Sequence, residues 1–271
     1  MTSSPNTILL AGCGHMGSAL LHGWLKSKLP LRLYVLDRHY QPPAGAPVTV
    51  WRTLADIPED FRPDMVVLAV KPKGADAFLE ALHERLGRGL SHATLLSVAA
   101  GRSCANLAKA SGGMAVVRAM PNTPAAIGAG TTGLYSAPDV PPARAALAAQ
   151  LMKAVGAVVE VPHENDLAAV TAISGSGPAY VFLLAELLEK AGQHLGLNAE
   201  TAKLLARNTV YGAGEMLHED PLSAEQLRRN VTSPGGTTEA ALKVFMAPDA
   251  WPATVERATE AAAHRADELS Q

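Results

Sequence analysis

The sequence predicts an α/β chain, with a parallel-sheet domain at the N-terminus followed by an all-α C-terminal domain. Three observations carry this. Short apolar runs that read as strands alternate with helical segments through the first half, the pattern of a sheet covered on both faces. A glycine-rich turn, Gly12-Cys13-Gly14-His15-Met16-Gly17, directly follows the first such run. Beyond the segment "VPHEND", residues 161–166, helical patterns continue with no convincing strand. The boundary is placed there, giving domains 1–162 and 163–271.

Composition sets the outer limits. With 271 residues, 48% of them hydrophobic, and a formal net charge of -2, the chain reads as soluble and globular. No basic surplus points to nucleic acid. "MTSSPNT" lacks the charged start of a signal peptide. The longest apolar stretch, Leu167 to Leu188, is broken by Ser174-Gly175-Ser176-Gly177-Pro178 and by Glu186, so it is expected to be a buried or interfacial helix system and not a membrane span. The two cysteines, Cys13 and Cys104, lie far apart, which suits a reducing cytoplasm.

The first strand is "TILLA", residues 7–11, and a helical run from Ser18 follows the glycine turn. "LRLYVLD" reads as the second strand and ends at Asp37, about 20 residues after Gly17. Gly12 permits the tight turn, Gly14 lets a pyrophosphate approach the backbone, and Gly17 lets helix and strand pack closely. Strand, glycines, helix and acid together make this a Rossmann-like dinucleotide-binding unit. His15 and Met16, inside the loop, are grouped with the cofactor contacts, although His15, like His163, carries no evident chemistry. Cys13 is expected to be a packing residue.

Further strands are read at "VTVW" (48–51), "MVVLAV" (65–70), "TLLSVA" (94–99) and "AVVRAM" (115–120), with "TTGLYS" and "AVVEV" as two more. Ligands of such sheets bind beyond the carboxyl ends of the strands. The glycine turn, Asp37-Arg38, Val70-Lys71-Pro72, Ala99-Ala100-Gly101 and Pro121-Asn122-Thr123-Pro124 should therefore share one edge. Small residues at 99–101 would let a flat nicotinamide lie close to the backbone, and Asn122 could bond its carboxamide. Taken singly, Pro72 could merely end a strand and "MPNTP" merely form a rigid turn. Asp37 suits ribose hydroxyls and NAD, whereas Arg38 suits a 2′-phosphate and NADP. The following "QPPAGAP" leaves little room for a crossover helix.

In the second half, "NDLAAVTAI" starts a helix that "SGSGPAY" interrupts or kinks, because Pro178 removes a backbone donor. "YVFLLAELLEKAGQHLG" is strongly apolar. Asn198 is placed to cap the next helix, Ser223 and Gln226 have capping-box spacing, and a last helix runs from about Pro252 to Leu269. Helices apolar nearly all round are hard to bury in a domain of this size, so a homodimer formed through this half is expected.

One segment carries chemistry here. In "NVTSPGGTT", residues 230–238, hydroxyls surround a Gly-Gly pair ahead of a helix. Such a start presents backbone N–H groups and partial positive charge to a carboxylate. The same residues could serve only as a helix cap, with Thr237 or Thr238 capping. Nothing in the residues themselves decides between these. No nucleophile triad and no metal-ligand spacing is evident, and none of the nine histidines falls in an H-E-x-x-H pattern.

"GCGHMGSALLHGW", "AVKP", "SVAAG", "RAMPNTPAAIGAG", "ISGSGPAYVF" and "NVTSPGGTTEAALKVF", in this order, resemble pyrroline-5-carboxylate reductases over nearly the whole chain. The resemblance implies reduction of the C=N bond of 1-pyrroline-5-carboxylate by NADPH, with NADH possible, to give proline. It implies a homodimer or a pentamer of dimers, with the partner's helical domain completing the substrate site. It places Ser233, Gly236 and Thr237 on the substrate carboxylate and the Thr238 hydroxyl at the imine nitrogen, Thr238 being the catalytic residue. Two positions depart from the family: Asp37 stands where many members have small polar residues, and Val50-Trp51-Arg52 lacks an asparagine often found after the third strand. The choice of NADP is assigned to Arg38. The alternatives are a related hydroxyacid or imine reductase and a non-catalytic dinucleotide sensor. Hydroxyacid chemistry wants an early interdomain lysine, and none occurs between Gly177 and Lys190.

Overall fold

The computed structural model describes residues 4–270. They form two compact units, one ending at Gly175 and taking in the segment from Ala262 onward, the other spanning Ser176–Ala261.

The first unit is built on β1 (Asn6–Ala11), β2 (Leu31–Leu36), β3 (Val48–Trp51), β4 (Met65–Leu68), β5 (Thr94–Ser97), β6 (Ala115–Met120), β7 (Gly130–Ser136) and β8 (Gly156–Glu160). They lie side by side in the order β3-β2-β1-β4-β5-β6-β7-β8. Every adjacent pair is parallel except β6 and β7. The first six follow the 3-2-1-4-5-6 order of dinucleotide-binding sheets, with the switch point between β1 and β4. β4 and β5 are buried along their whole length, which explains the unbroken apolar character of β4, while β5 sets Leu95 and Leu96 between the buried Thr94 and Ser97.

The antiparallel β7 departs from the expected all-parallel sheet. A parallel return needs a crossover of a dozen or more residues. Between Met120 and Gly130 the chain has room only for a 3₁₀ turn, Thr123–Ile127. β4 and β5 also end earlier than their apolar runs: Ala69-Val70 and Val98-Ala99 already belong to the loops beyond the sheet.

Helices α1 (His15–Lys26), α2 (Ala75–Leu86), α3 (Cys104–Ala110) and α4 (Pro142–Lys153) connect the strands. Two apolar layers result, one on each face of the sheet. One joins Ile8, Leu10, Leu20, Trp24 and Met152; the other joins Leu9, Leu68, Leu79, Leu95 and Leu107. Between β2 and β3 there is no helix, as the proline-rich loop predicts. α5 (Asp166–Val170) runs into a π-turn, Thr171–Gly175, at the site where the sequence signals an interrupted helix.

The second unit is helical: α6 (Gly177–His194), α7 (Ala199–Glu219), α8 (Ala224–Asn230), α9 (Thr237–Phe245) and the start of α10 (Trp251–Ser270). Asn198 caps α7 by accepting from Thr201 N–H. Ser223 caps α8, but the Gln226 side chain turns to Asn230, so only half of the expected capping box forms. α6 buries no residue within the chain: Val181, Phe182, Leu183 and Leu187 are all exposed. From Asp166 to His194 the chain is long and apolar enough to cross a membrane by length and composition alone.

Candidate functional site

The carboxyl ends of β1, β2, β4, β5 and β6 all lie on one edge, because these five neighbours are parallel. That edge gathers all the sequence-predicted cofactor positions. At its centre the glycine turn joins β1 to α1. Gly12 adopts φ +87°, and a Cβ there would lie 2.9 Å from the Ala69 carbonyl oxygen. A Cβ on Gly17 would lie 2.2 Å from the Gly12 carbonyl oxygen, so helix and turn touch directly. Gly14 differs: nothing lies within 4 Å of the place its Cβ would take. It caps α1 and leaves open space before the helix N-terminus, where first-turn N–H groups lack intrahelical partners. This cradle fits a dinucleotide's pyrophosphate. His15 is exposed at the helix start, whereas Met16 packs against the core.

Asp37, at the end of β2, is committed to the backbone. Its Oδ2 accepts from Cys13 N–H at 2.8 Å, and its Oδ1 accepts from His39 and Tyr40 N–H, each at 2.8 Å. Burial pushes the carboxyl up, but these three donors together outweigh it and hold the group below its ordinary value. Arg52, just after β3, reaches across to donate from Nη1 to the Asp37 and Tyr40 carbonyls at 3.2 and 2.5 Å. A cavity of about 360 Å³ opens here, lined by Gly12, Asp37, Arg38, His39, Arg52, Thr53, Val70 and Phe78 among others. Sequence reasoning did not assign Arg52 a ligand. Its position directly after the third strand, on the same edge, was the available signal.

Lys71 and Pro72 are exposed on the loop after β4, where Lys71 precedes a 3₁₀ turn. After β5, Ala99 is buried and Ala100 exposed. Ala99, Ala100 and Gly101 form the floor of a second cavity, about 470 Å³, walled by Arg118, Met120, Glu164 and residues near the end of α10. A Cβ on Gly101 (φ +71°) would sit 2.5 Å from the Leu269 carbonyl oxygen. The Arg118–Glu164 ion pair, 2.8 Å apart, borders this cavity.

Pro121 and Asn122 follow β6. The Asn122 side chain is buried: Nδ2 donates to the Ser174 carbonyl at 3.0 Å and Oδ1 accepts from Thr131 N–H at 2.8 Å. It braces the turn between β6 and β7, with one Nδ2 hydrogen left for any ligand.

In the helical unit, Gly236 is the N-cap of α9 and no side chain caps it, so Thr237 and Thr238 stand in the helix's first turn and do not cap it. Gly235 takes φ +72° and donates its N–H to Glu239 at 2.7 Å, while Gly236 N–H goes to the Ser233 carbonyl at 3.0 Å. The first-turn donors left for an anion are therefore the N–H groups of Thr237, Thr238 and Glu239. Gly236 contributes shape, because a Cβ there would crowd the Ser233 carbonyl at 3.0 Å. Ser233 and Thr237 are exposed and Thr238 half-buried.

Neither cysteine is poised as a nucleophile. Burial pushes the Cys13 thiol up, and burial with the neighbouring Glu164 pushes Cys104 up to about 12. Among the described residues no group of three or more His, Cys, Asp or Glu could hold a metal ion.

A family profile described as "Pyrroline-5-carboxylate reductase dimerisation" matches residues 164–269. The chain is 44% identical to the pyrroline-5-carboxylate reductase of Pseudomonas aeruginosa over 77% of its own length and 75% of the relative's. Its fold matches a pyrroline-5-carboxylate reductase from Coxiella burnetii with a TM-score of 0.89 and 36% identity, covering 99% and 100% of the two chains. It also matches the Plasmodium falciparum pyrroline carboxylate reductase with NADP bound, with a TM-score of 0.80 and 29% identity over 98% of each.

Proposed function

The chain belongs to the pyrroline-5-carboxylate reductase family, and from that premise we propose that it reduces 1-pyrroline-5-carboxylate to L-proline with NADPH, completing proline biosynthesis. The observation that carries this reading is the start of α9. Its first turn keeps the N–H groups of two consecutive threonines free beneath a helix N-terminus, as a small carboxylate requires. The bound dinucleotide supplies the hydride.

The chain's own residues bind and orient. Ser233 and Thr237 hold the substrate carboxylate through hydroxyl and backbone donors, and Gly236 gives the loop the clearance it needs. Thr238 presents its hydroxyl to the ring nitrogen. A protonated imine is already electrophilic, so no strong general acid is required, and positioning supplies most of the acceleration. Gly12, Gly14, His15, Met16 and Gly17 shape the pyrophosphate cradle. Val70, Lys71, Pro72, Ala99, Ala100, Pro121 and Asn122 line the path toward the nicotinamide.

Residues 163–271 act as the dimerisation and substrate-binding segment. The exposed apolar side chains of α6 support a homodimer formed there, and pentamers of such dimers are the higher assembly we assign. Two unpaired, buried thiols fit the reducing cytoplasm.

The test is oxidation of NADPH, and separately of NADH, by the purified protein with pyrroline-5-carboxylate. Proline formation with NADPH is expected. Absence of turnover with both cofactors overturns the reading, and turnover of 2-oxo acids instead points to hydroxyacid chemistry.

A further inference from the structure

We propose that Arg52, together with Arg38, selects the 2′-phosphate of NADPH, and that Asp37 braces the glycine turn without selecting between cofactors. This rests on the dinucleotide-binding role proposed above and deepens it.

The first observation concerns Asp37. An acid ending the second strand opposes a 2′-phosphate when its carboxylate faces the ribose with its acceptors free. Here three backbone N–H groups, from Cys13, His39 and Tyr40, already occupy the two oxygens. A carboxylate has roughly four acceptor sites. Most of this one is spent on backbone: one bond holds the glycine turn against the end of β2, and two fold the loop that follows β2.

The second observation concerns the cations. Arg52 uses only Nη1 for its two backbone carbonyls. Nη2 and Nε meet no protein acceptor among the described residues, and these are the donors that could fork onto a phosphate. The anchoring to Asp37 and Tyr40 holds the guanidinium in place before any ligand arrives, which lowers the ordering cost of binding. Arg38 makes no ion pair among the described residues and lines the same cavity as Arg52 and His39.

The third observation concerns compensation. The other nearby carboxylate, Asp56, accepts from the backbone N–H groups of Arg52 and Thr53 at 2.9 and 2.8 Å. Both acids are thus turned onto backbone donors, and neither pairs with the Arg38 or Arg52 side chain. Two guanidinium groups line one small cavity and, among the described residues, neither ion-pairs with a carboxylate, although Asp37 lines the same cavity. A dianionic phosphate would supply the charge they lack, and NADH has none to offer at that position.

The decisive measurement is binding of 2′,5′-ADP and of ADP to the whole protein by calorimetry, alongside KM for NADPH and NADH. We expect Arg52→Gln to weaken 2′,5′-ADP and NADPH by about tenfold or more. ADP and NADH should move less than about twofold, and Arg52→Lys should recover part of the loss. Asp37→Asn should weaken all four ligands alike. Equal losses for phosphorylated and unphosphorylated ligands in Arg52→Gln would reduce Arg52 to a loop anchor and overturn the proposal. So would an unchanged preference, or an Asp37→Asn protein that gains affinity for NADPH alone. A wild-type protein that prefers 2′,5′-ADP yet makes no proline would leave this inference standing and defeat the proposed reaction instead.

Discussion

Glu164 accepts a hydrogen bond from Arg118 at 2.8 Å and, through the same oxygen, from the Cys104 backbone N–H at 2.6 Å. One carboxylate therefore ties the segment before α5 to both β6 and the start of α3. Both partners of the ion pair are largely covered, with 12% and 25% of their side chains exposed. Removing the charge from Glu164 would leave Arg118 without its partner beside the 470 Å³ cavity. Glu164→Gln should lower stability by about 1–3 kcal/mol, read from the denaturant midpoint. The double variant Arg118→Met/Glu164→Leu should lose clearly less than the losses of Arg118→Met and Glu164→Leu added together. Strict additivity would show that the pair is not coupled.

Cys104 should resist alkylation in the native protein at pH 8. Burial, then the adjacent Glu164, keeps its proton on up to about 12 instead of near 9.0. The sign for stability follows from this raised value. The native thiol stays neutral where the unfolded one ionises, so its contribution is complete below about pH 9 and is lost as pH rises toward 12. Between those limits wild type should lose more stability than Cys104→Ala, measured as the difference between their unfolding free energies. Parallel curves would contradict this.

The glycines of the turn should separate folding from binding. Gly17→Ala would push a methyl into the Gly12 carbonyl, and unfolding should occur at a markedly lower temperature. Gly14→Ala meets nothing in the protein and should melt like wild type, yet bind NADPH about tenfold or more weakly, because the methyl takes ligand space. Fluorescence titration and a thermal melt on each variant decide this.

Thr238→Ala should reduce turnover far more than it reduces NADPH affinity, by about one hundredfold in kcat against less than twofold in Kd. Comparable losses in both would remove Thr238 from the imine nitrogen.

Phe182→Glu places a charge on the exposed apolar face of α6, where the wild-type ring is 66% exposed in the single chain. Sedimentation should show the wild type as an oligomer and this variant shifted toward monomer. A wild-type protein that sediments as a monomer would refute the dimer.

The sheet was legible because its residues follow simple rules. Short, valine-rich apolar runs such as Met65–Leu68 suit a strand buried on both faces better than a helix, and the three glycines are spaced by the geometry of one turn. The reversal at β7 was not legible from apolar pattern, because direction is set by how much chain joins two strands and not by what the strands contain. The same limit applied to single polar residues. Asp37 and Asn122 carry the chemistry expected of ligand contacts, yet the fold directs much of their hydrogen-bonding capacity to backbone groups, some beside them in the chain and some, at Cys13 and Ser174, far from them. Arg52 shows the converse. A lone arginine after a strand has no pattern of its own, and its role appears only once Asp37 and Tyr40 are seen within its reach.

The close approach of Leu269 to Gly101 has a consequence for biosynthesis. The sheet unit takes in residues from Ala262 onward, which the ribosome makes only after every helix of the other unit. The loop after β5 must wait with that side uncovered while the apolar face of α6 is already outside the tunnel. During synthesis the chain therefore exposes the apolar face of α6 before its first-made unit is complete. Folding yield should depend on how quickly that interval passes, a demand that the finished enzyme no longer displays.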